Sequence, residues 1–146
     1  MSNTIKEEKI KNFVINNNCA LEKQIDIKHQ VACFQFTKLK KDIDNLYAVN
    51  FKMYIKKYRF YNMLVHYGIN ILQIERKKGN LVNFLYENML NLEKYLEEDK
   101  EKSFYALKVN AENKEGIEEI LTETGFFKDN AIYNLILFVA YKELLK

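Results

Sequence analysis

Seven consecutive residues carry the clearest chemical potential in the chain: Glu75-Arg76-Lys77-Lys78-Gly79-Asn80-Leu81. Three cations precede a glycine, and Asn80 is a suitable N-cap for the apolar-striped segment that follows. Unpaired N–H groups at a helix start, the positive end of the helix dipole and flanking cations together favour an anion such as a phosphate. Gly79 would let the backbone approach it closely. The stretch lacks the G-K-[ST] of a Walker A loop and the repeated glycines of a dinucleotide fingerprint. The plainer alternative is a basic turn that leads into a helix.

Other chemically able residues are sparser. His29, His66, Cys19 and Cys33 match no standard zinc spacing, so no metal is expected. Lys52-Met-Tyr-Ile-Lys-Lys-Tyr-Arg-Phe-Tyr61 interleaves cations with aromatic rings. That pattern can stack bases and neutralise phosphates. It also fits two strands with rings inward and lysine stems over the exposed face.

Positioning these residues requires regular elements. Ile5, Ile10, Phe13 and Val14 predict an amphipathic helix over 5–16. Residues 30–37 are β-branched and aromatic and predict a strand, followed by a polar stretch from Lys38 to Asn45. Segments 46–54, 59–66 and 69–75 read as short strands of an antiparallel meander, with a helix over 46–66 as the alternative. Leu81, Leu85, Met89, Leu92 and Leu96 predict a helix over 81–97. A strand over 103–109, a helix over 111–124 closed by Gly125 and a buried strand over 132–141 complete the chain.

Composition narrows the class. The 146 residues include 10 Phe and 10 Tyr, too many aromatics for a disordered chain. Net charge is only +3, and Arg59 and Arg76 are the sole arginines, which argues against sequence-specific DNA reading. The charged N-terminus has no signal-peptide pattern, and the longest apolar run, Leu135–Tyr141, falls short of a membrane span. A soluble, cytoplasmic protein without a membrane partner is expected.

Arg76-x-x-Gly79-x-Leu81 between a predicted strand and helix, with Asn110, Asn113 and the Gly125-Phe126 pair downstream, resembles the GNAT acetyltransferase superfamily over about residues 60–142. The resemblance implies one α+β domain over 1–146. It would have a mixed, mostly antiparallel sheet and about three helices. It also implies transfer of an acetyl group from acetyl-CoA to a small-molecule or peptide amine. Backbone amides of Lys77, Lys78, Gly79, Asn80 and Leu81, with charge from Arg76 or Lys78, would hold the cofactor pyrophosphate. Asn110 or Asn113 would meet the pantetheine arm or the helix start. Glu75 would take the amine proton. Leu81 stands where the family has a small residue. Ile120 or Leu121 stands where many members have a tyrosine acid, leaving Tyr105 or Tyr133 to protonate the thiolate. The competing expectation is a small non-enzymatic binding protein, such as a phage-type inhibitor or an immunity protein. It would meet a protein partner through the aromatic, lysine-rich region 46–67. A single-stranded nucleic-acid binder using the same patch is a weaker third.

Overall fold

The longest apolar runs of the chain form helices, not strands. The computed structural model describes residues 4–17, 29–125 and 127–146. Its elements in chain order are α1 (Glu7–Asn16), β1 (His29–Phe36), α2 (Thr37–Asn50), α3 (Lys57–Lys77), α4 (Leu81–Leu96), β2 (Lys102–Val109), α5 (Ala111–Thr124) and α6 (Asp129–Leu145). β1 and β2 pair antiparallel, from His29 opposite Val109 to Phe36 opposite Lys102. Six helices and one two-stranded sheet among the described residues overturn the expected α+β, GNAT-like sheet with about three helices.

Burial on every side accounts for the helices that read as strands in α3 and α6. In α3 every residue from Phe60 to His66 is buried, and in α6 every residue from Asn134 to Tyr141 is buried. A helix enclosed on all sides loses its 3.6-residue stripe, and its sequence then matches a buried strand equally well. Segments 59–66 and 69–75 are thus one helix, and 132–141 is another. α2 had a legible stripe in Leu39, Ile43, Leu46 and Tyr47, all buried. Assigning 46–54 to a strand cut that stripe in half. Elsewhere the elements agree with expectation: α1, α4, α5 and both strands lie within a residue or two of their predicted bounds.

α3 and α6 form the centre. Gly68 permits their close approach: a Cβ there would lie 2.6 Å from the Ile136 carbonyl oxygen and 2.8 Å from its Cγ2. Phe13 of α1 meets Phe51 at 5.4 Å and Tyr67 at 5.4 Å, and Phe51 meets Phe60 at 4.7 Å, so an aromatic cluster ties α1 and the end of α2 to α3. α6 also holds the sheet. Asn130 Oδ1 accepts from Phe34 N at 3.2 Å, and Asn134 Oδ1 accepts from Phe36 N at 3.2 Å. Asn134 Nδ2 donates to Phe34 O at 2.8 Å. The outer edge of β1 is therefore satisfied by side chains of a helix, which explains two asparagines in an otherwise apolar segment. Among the described residues, no helix is long and apolar enough to cross a membrane.

Gly68→Ala tests the crossing. Alanine gains about 1 kcal/mol of helix propensity over glycine, but overpacking against a carbonyl oxygen that cannot rotate away costs roughly 1–3 kcal/mol. A net loss of stability is expected in urea unfolding. An unchanged or raised midpoint would show that the two helices do not meet there.

Candidate functional site

The 75–81 junction ends one helix and starts the next. Gly79 N donates to Arg76 O at 3.0 Å and Asn80 N to Glu75 O at 2.9 Å, with Gly79 at φ 71°. This pair of bonds around a left-handed residue is a Schellman stop. It gives Gly79 a structural reason independent of any ligand. Asn80 makes no side-chain cap. Its Nδ2 donates instead to Glu75 Oε2 at 3.1 Å. Arg76 Nε pairs with Glu123 Oε2 of α5 at 2.5 Å, and Lys78 Nζ lies 3.7 Å from Glu75 Oε1. Leu81 is buried in the core, and Lys77 is exposed. The predicted strand-to-helix notch is thus corrected to a helix-to-helix turn whose named cations Arg76 and Lys78 already face carboxylates.

Asn110 and Asn113 are internal. Asn110 caps α5, its side-chain oxygen accepting from Asn113 N at 2.9 Å. Its own N–H donates to Asn62 Oδ1 at 2.9 Å. Asn113 Nδ2 donates to Asn62 O and to Asn62 Oδ1, both at 2.8 Å. All three side chains are at most 1% exposed, so the cluster bolts the β2–α5 corner to the first turns of α3. Capping the helix start describes Asn110 alone, whereas Asn113 lies inside α5 and ties it to Asn62; a pantetheine arm could not reach either residue without opening the core.

Glu75 and Tyr105 do not share a site. Lys40 Nζ lies 4.6 Å from the Tyr61 ring and 4.9 Å from the Tyr105 ring, which places Tyr105 beside the start of α3. Glu75 is near the other end of that helix, about 21 Å along its axis from Tyr61 at roughly 1.5 Å per residue. Tyr133, the other candidate acid, is on α6, and burial raises its phenol pKa, with Asp129 adding to the effect.

What the fold does bring together is a set of lysines and tyrosines. Lys40 from α2, Lys57, Tyr58 and Tyr61 from α3, and Ala106–Lys108 from β2 surround an open cleft of about 380 Å³. That is within the usual range for a small-ligand or side-chain pocket. Asp44 is the acidic hub. It accepts from the Tyr61 hydroxyl at 2.6 Å and lies 3.2 Å from Lys40 Nζ and 3.6 Å from Lys57 Nζ. Burial raises the Tyr61 pKa well above the ordinary phenol value, and the Asp44 carboxylate adds to the effect. Tyr61 therefore remains a neutral donor. Tyr58 moves the other way. The Arg59 Nε–H donated to its oxygen lowers its pKa, and the charges of Arg59, Lys56 and Lys108 lower it further. Tyr61 thus faces a half-buried carboxylate, and Tyr58 a cationic rim. The motif Lys52–Tyr61 holds three of the cleft residues. Lys40 and Lys108 were not singled out, because a lysine in an exposed stretch carries no signal until the fold gives it neighbours.

His66 is buried in α3, with Nδ1 2.8 Å from Asn17 Oδ1 and Nε2 3.8 Å from Glu112 Oε1. Burial lowers its pKa, and Glu112 partly opposes the shift. Cys33 is a buried free thiol, while Cys19 lies outside the described residues. Among the described residues no group of three or more His, Cys, Asp or Glu could hold a metal ion.

Two stability outcomes follow. Asn62→Ala strips partners from two buried N–H groups at about 1–3 kcal/mol each, and Asn110→Ala removes a cap worth about 1 kcal/mol. Urea unfolding should rank Asn62→Ala as the more damaging; the reverse order would contradict the bolt. For His66, the unfolded chain takes up a proton below about pH 6.5 that the folded chain resists. Its contribution is complete above that value and is lost as pH falls below it. His66→Gln should flatten the fall in melting temperature between about pH 7 and 5; an equally steep fall in the variant would place the effect elsewhere.

No family model matches this chain, and no curated protein or solved structure matches it.

Proposed function

We propose that the chain is a non-enzymatic binding protein that holds an anionic group of its partner in the Lys–Tyr cleft. One observation carries this reading: Lys40, Lys57 and Lys108 converge on a single cleft, and Asp44, beside it, is the one carboxylate paired with these lysines among the described residues. Three cations against one anion leave an electrostatic deficit, and such a deficit in a concave, partly apolar site draws and orients negative charge. Tyr58 is exposed at the cleft and adds a hydroxyl and a ring face, while the Tyr61 hydroxyl is already given to Asp44. Acetyl transfer has no comparable support. Its base and acid stand at different ends of α3, and its pyrophosphate loop is occupied by a helix stop and two ion pairs. Stacking of successive single-stranded bases is less favoured than simple anion capture, because Tyr58 is exposed at the cleft but Tyr61 offers only 5% of its surface.

Citrate and pyrophosphate are suitable probes in an NMR titration at low ionic strength. Saturable shifts are expected at Lys57, Tyr58 and Lys108, weakened about tenfold or more by Lys57→Glu with Lys108→Glu. Acetyl-CoA is itself a polyanion, so any stabilisation it gives should vanish in Lys57→Glu and persist in Gly79→Ala. Gly79 has open space around its missing Cβ, so the alanine variant adds only backbone strain. No cleft shift at millimolar probe, or stabilisation by acetyl-CoA that depends on Gly79 and not on Lys57, would overturn the proposal.

A further inference from the structure

One edge of β2 is paired with β1; along the other, α3 takes the N–H of Asn110 just past the strand, and no strand lies there among the described residues. In an antiparallel ladder, residues directly opposite either aim their N–H and C=O groups at each other or both aim them away. Phe34 and Phe36 give theirs to Asn130 and Asn134 of α6, away from β2. Their opposites are Phe104 and Lys102, so the even-numbered residues of β2 direct their backbone groups to the far edge. Among the described residues, no hydrogen bond takes up the outward groups of Phe104, Ala106 or Lys108, and all three residues are exposed. Such an edge is a template for a further strand. The Lys–Tyr cleft abuts it, with Ala106, Leu107 and Lys108 as one wall.

We infer that β2 accepts an extended acidic segment of a partner protein as a third strand, with the carboxylates of that segment entering the Lys–Tyr cleft. The inference rests on the anion-binding reading of the cleft and specifies what brings the anion there. Side-chain alternation sets the pattern required. Residues opposite Phe104 and Ala106 share the outer sheet face. There Phe34 and Phe104 meet edge to face at 5.0 Å, with 47% and 61% of their surfaces exposed. Residues opposite Tyr105 and Leu107 face inward, toward Lys40 and Lys57. The fitting segment therefore alternates apolar and acidic residues. A second copy of the chain fits worse. In one of the two seven-residue registers Lys102 falls opposite Lys108 of the copy, where like charges repel, and in the other Lys108 falls opposite Phe104; in both, β2 of the copy holds no carboxylate to meet the lysines of the cleft.

The test uses the intact chain with an alternating Val-Glu octapeptide, the length of β2, and a Val-Lys octapeptide as control. Amide exchange is read by NMR. The Val-Glu peptide should slow exchange at Phe104, Ala106 and Lys108 by about tenfold or more on saturation. The Val-Lys peptide should not. Ala106→Pro removes an outward N–H while keeping the ladder to β1, a position where an edge strand tolerates proline. It should lose the Val-Glu peptide and retain citrate. If that variant does not fold, the exchange data on the unaltered chain decide. Citrate binding without Val-Glu binding, or Val-Glu binding without protection of those three amides, would overturn the third strand and leave the cleft standing. Loss of citrate binding as well would remove both. Concentration-dependent dimerisation that protects the same amides would identify a second copy as the occupant. A short single strand of oligo-dT that displaces the peptide and leaves the amides exchanging would identify nucleic acid. Either result overturns the inference.

Discussion

The crossing of α3 and α6 at Gly68 constrains everything around it. Both helices are enclosed on nearly all sides, so neither can shift without opening the core. With α6 fixed, Asn130 and Asn134 fix β1, and through it β2. With α3 fixed, its first two turns stand against the end of β2. That end of α3 is further secured by Asn62, which receives hydrogen bonds from Asn110 and Asn113 at the β2–α5 corner. The cleft between β2 and the start of α3 is therefore bounded by rigid elements on both sides, which suits preorganised recognition.

Charge on this scaffold is distributed in two different ways. At the 75–81 turn, Arg76 and Lys78 are each met by a glutamate, so the local field is largely spent within the fold. At the cleft, Lys40 and Lys57 share one aspartate, and Lys108 stands 5.9 Å from the Tyr58 ring centroid. Cations in excess over their internal anions mark where an external anion is stabilised most. The chain has the same residue types at both places, and only the tertiary arrangement separates a helix stop from a binding surface.

This explains how far the sequence could be read. Leu81, Leu85, Leu92 and Leu96 describe α4 because one face stays wet and the stripe survives. Asn110 and Gly125 read correctly as the start and end of α5, since capping is local chemistry. The runs from Phe60 to His66 and from Ile132 to Tyr141 hide their period because burial on every side removes the polar half of it. Gly79 reads as a special backbone position in either setting, but as the end of a helix only when the residues before it are helical. The resemblance to acetyltransferases depended on a strand there. Lys40 and Lys108 gain meaning only from a long-range contact that no local pattern encodes.

Tyr58 is a built-in probe of the central claim that the cleft mouth is electropositive. A proton titration of its ring resonances should give a pKa below the ordinary phenol value, as Arg59, Lys56 and Lys108 favour the phenolate. Lys108→Glu should move it upward. A Tyr58 that titrates at or above the ordinary value, and ignores Lys108→Glu, would mean that no positive field exists at the mouth of the cleft, and the binding account would fail with it.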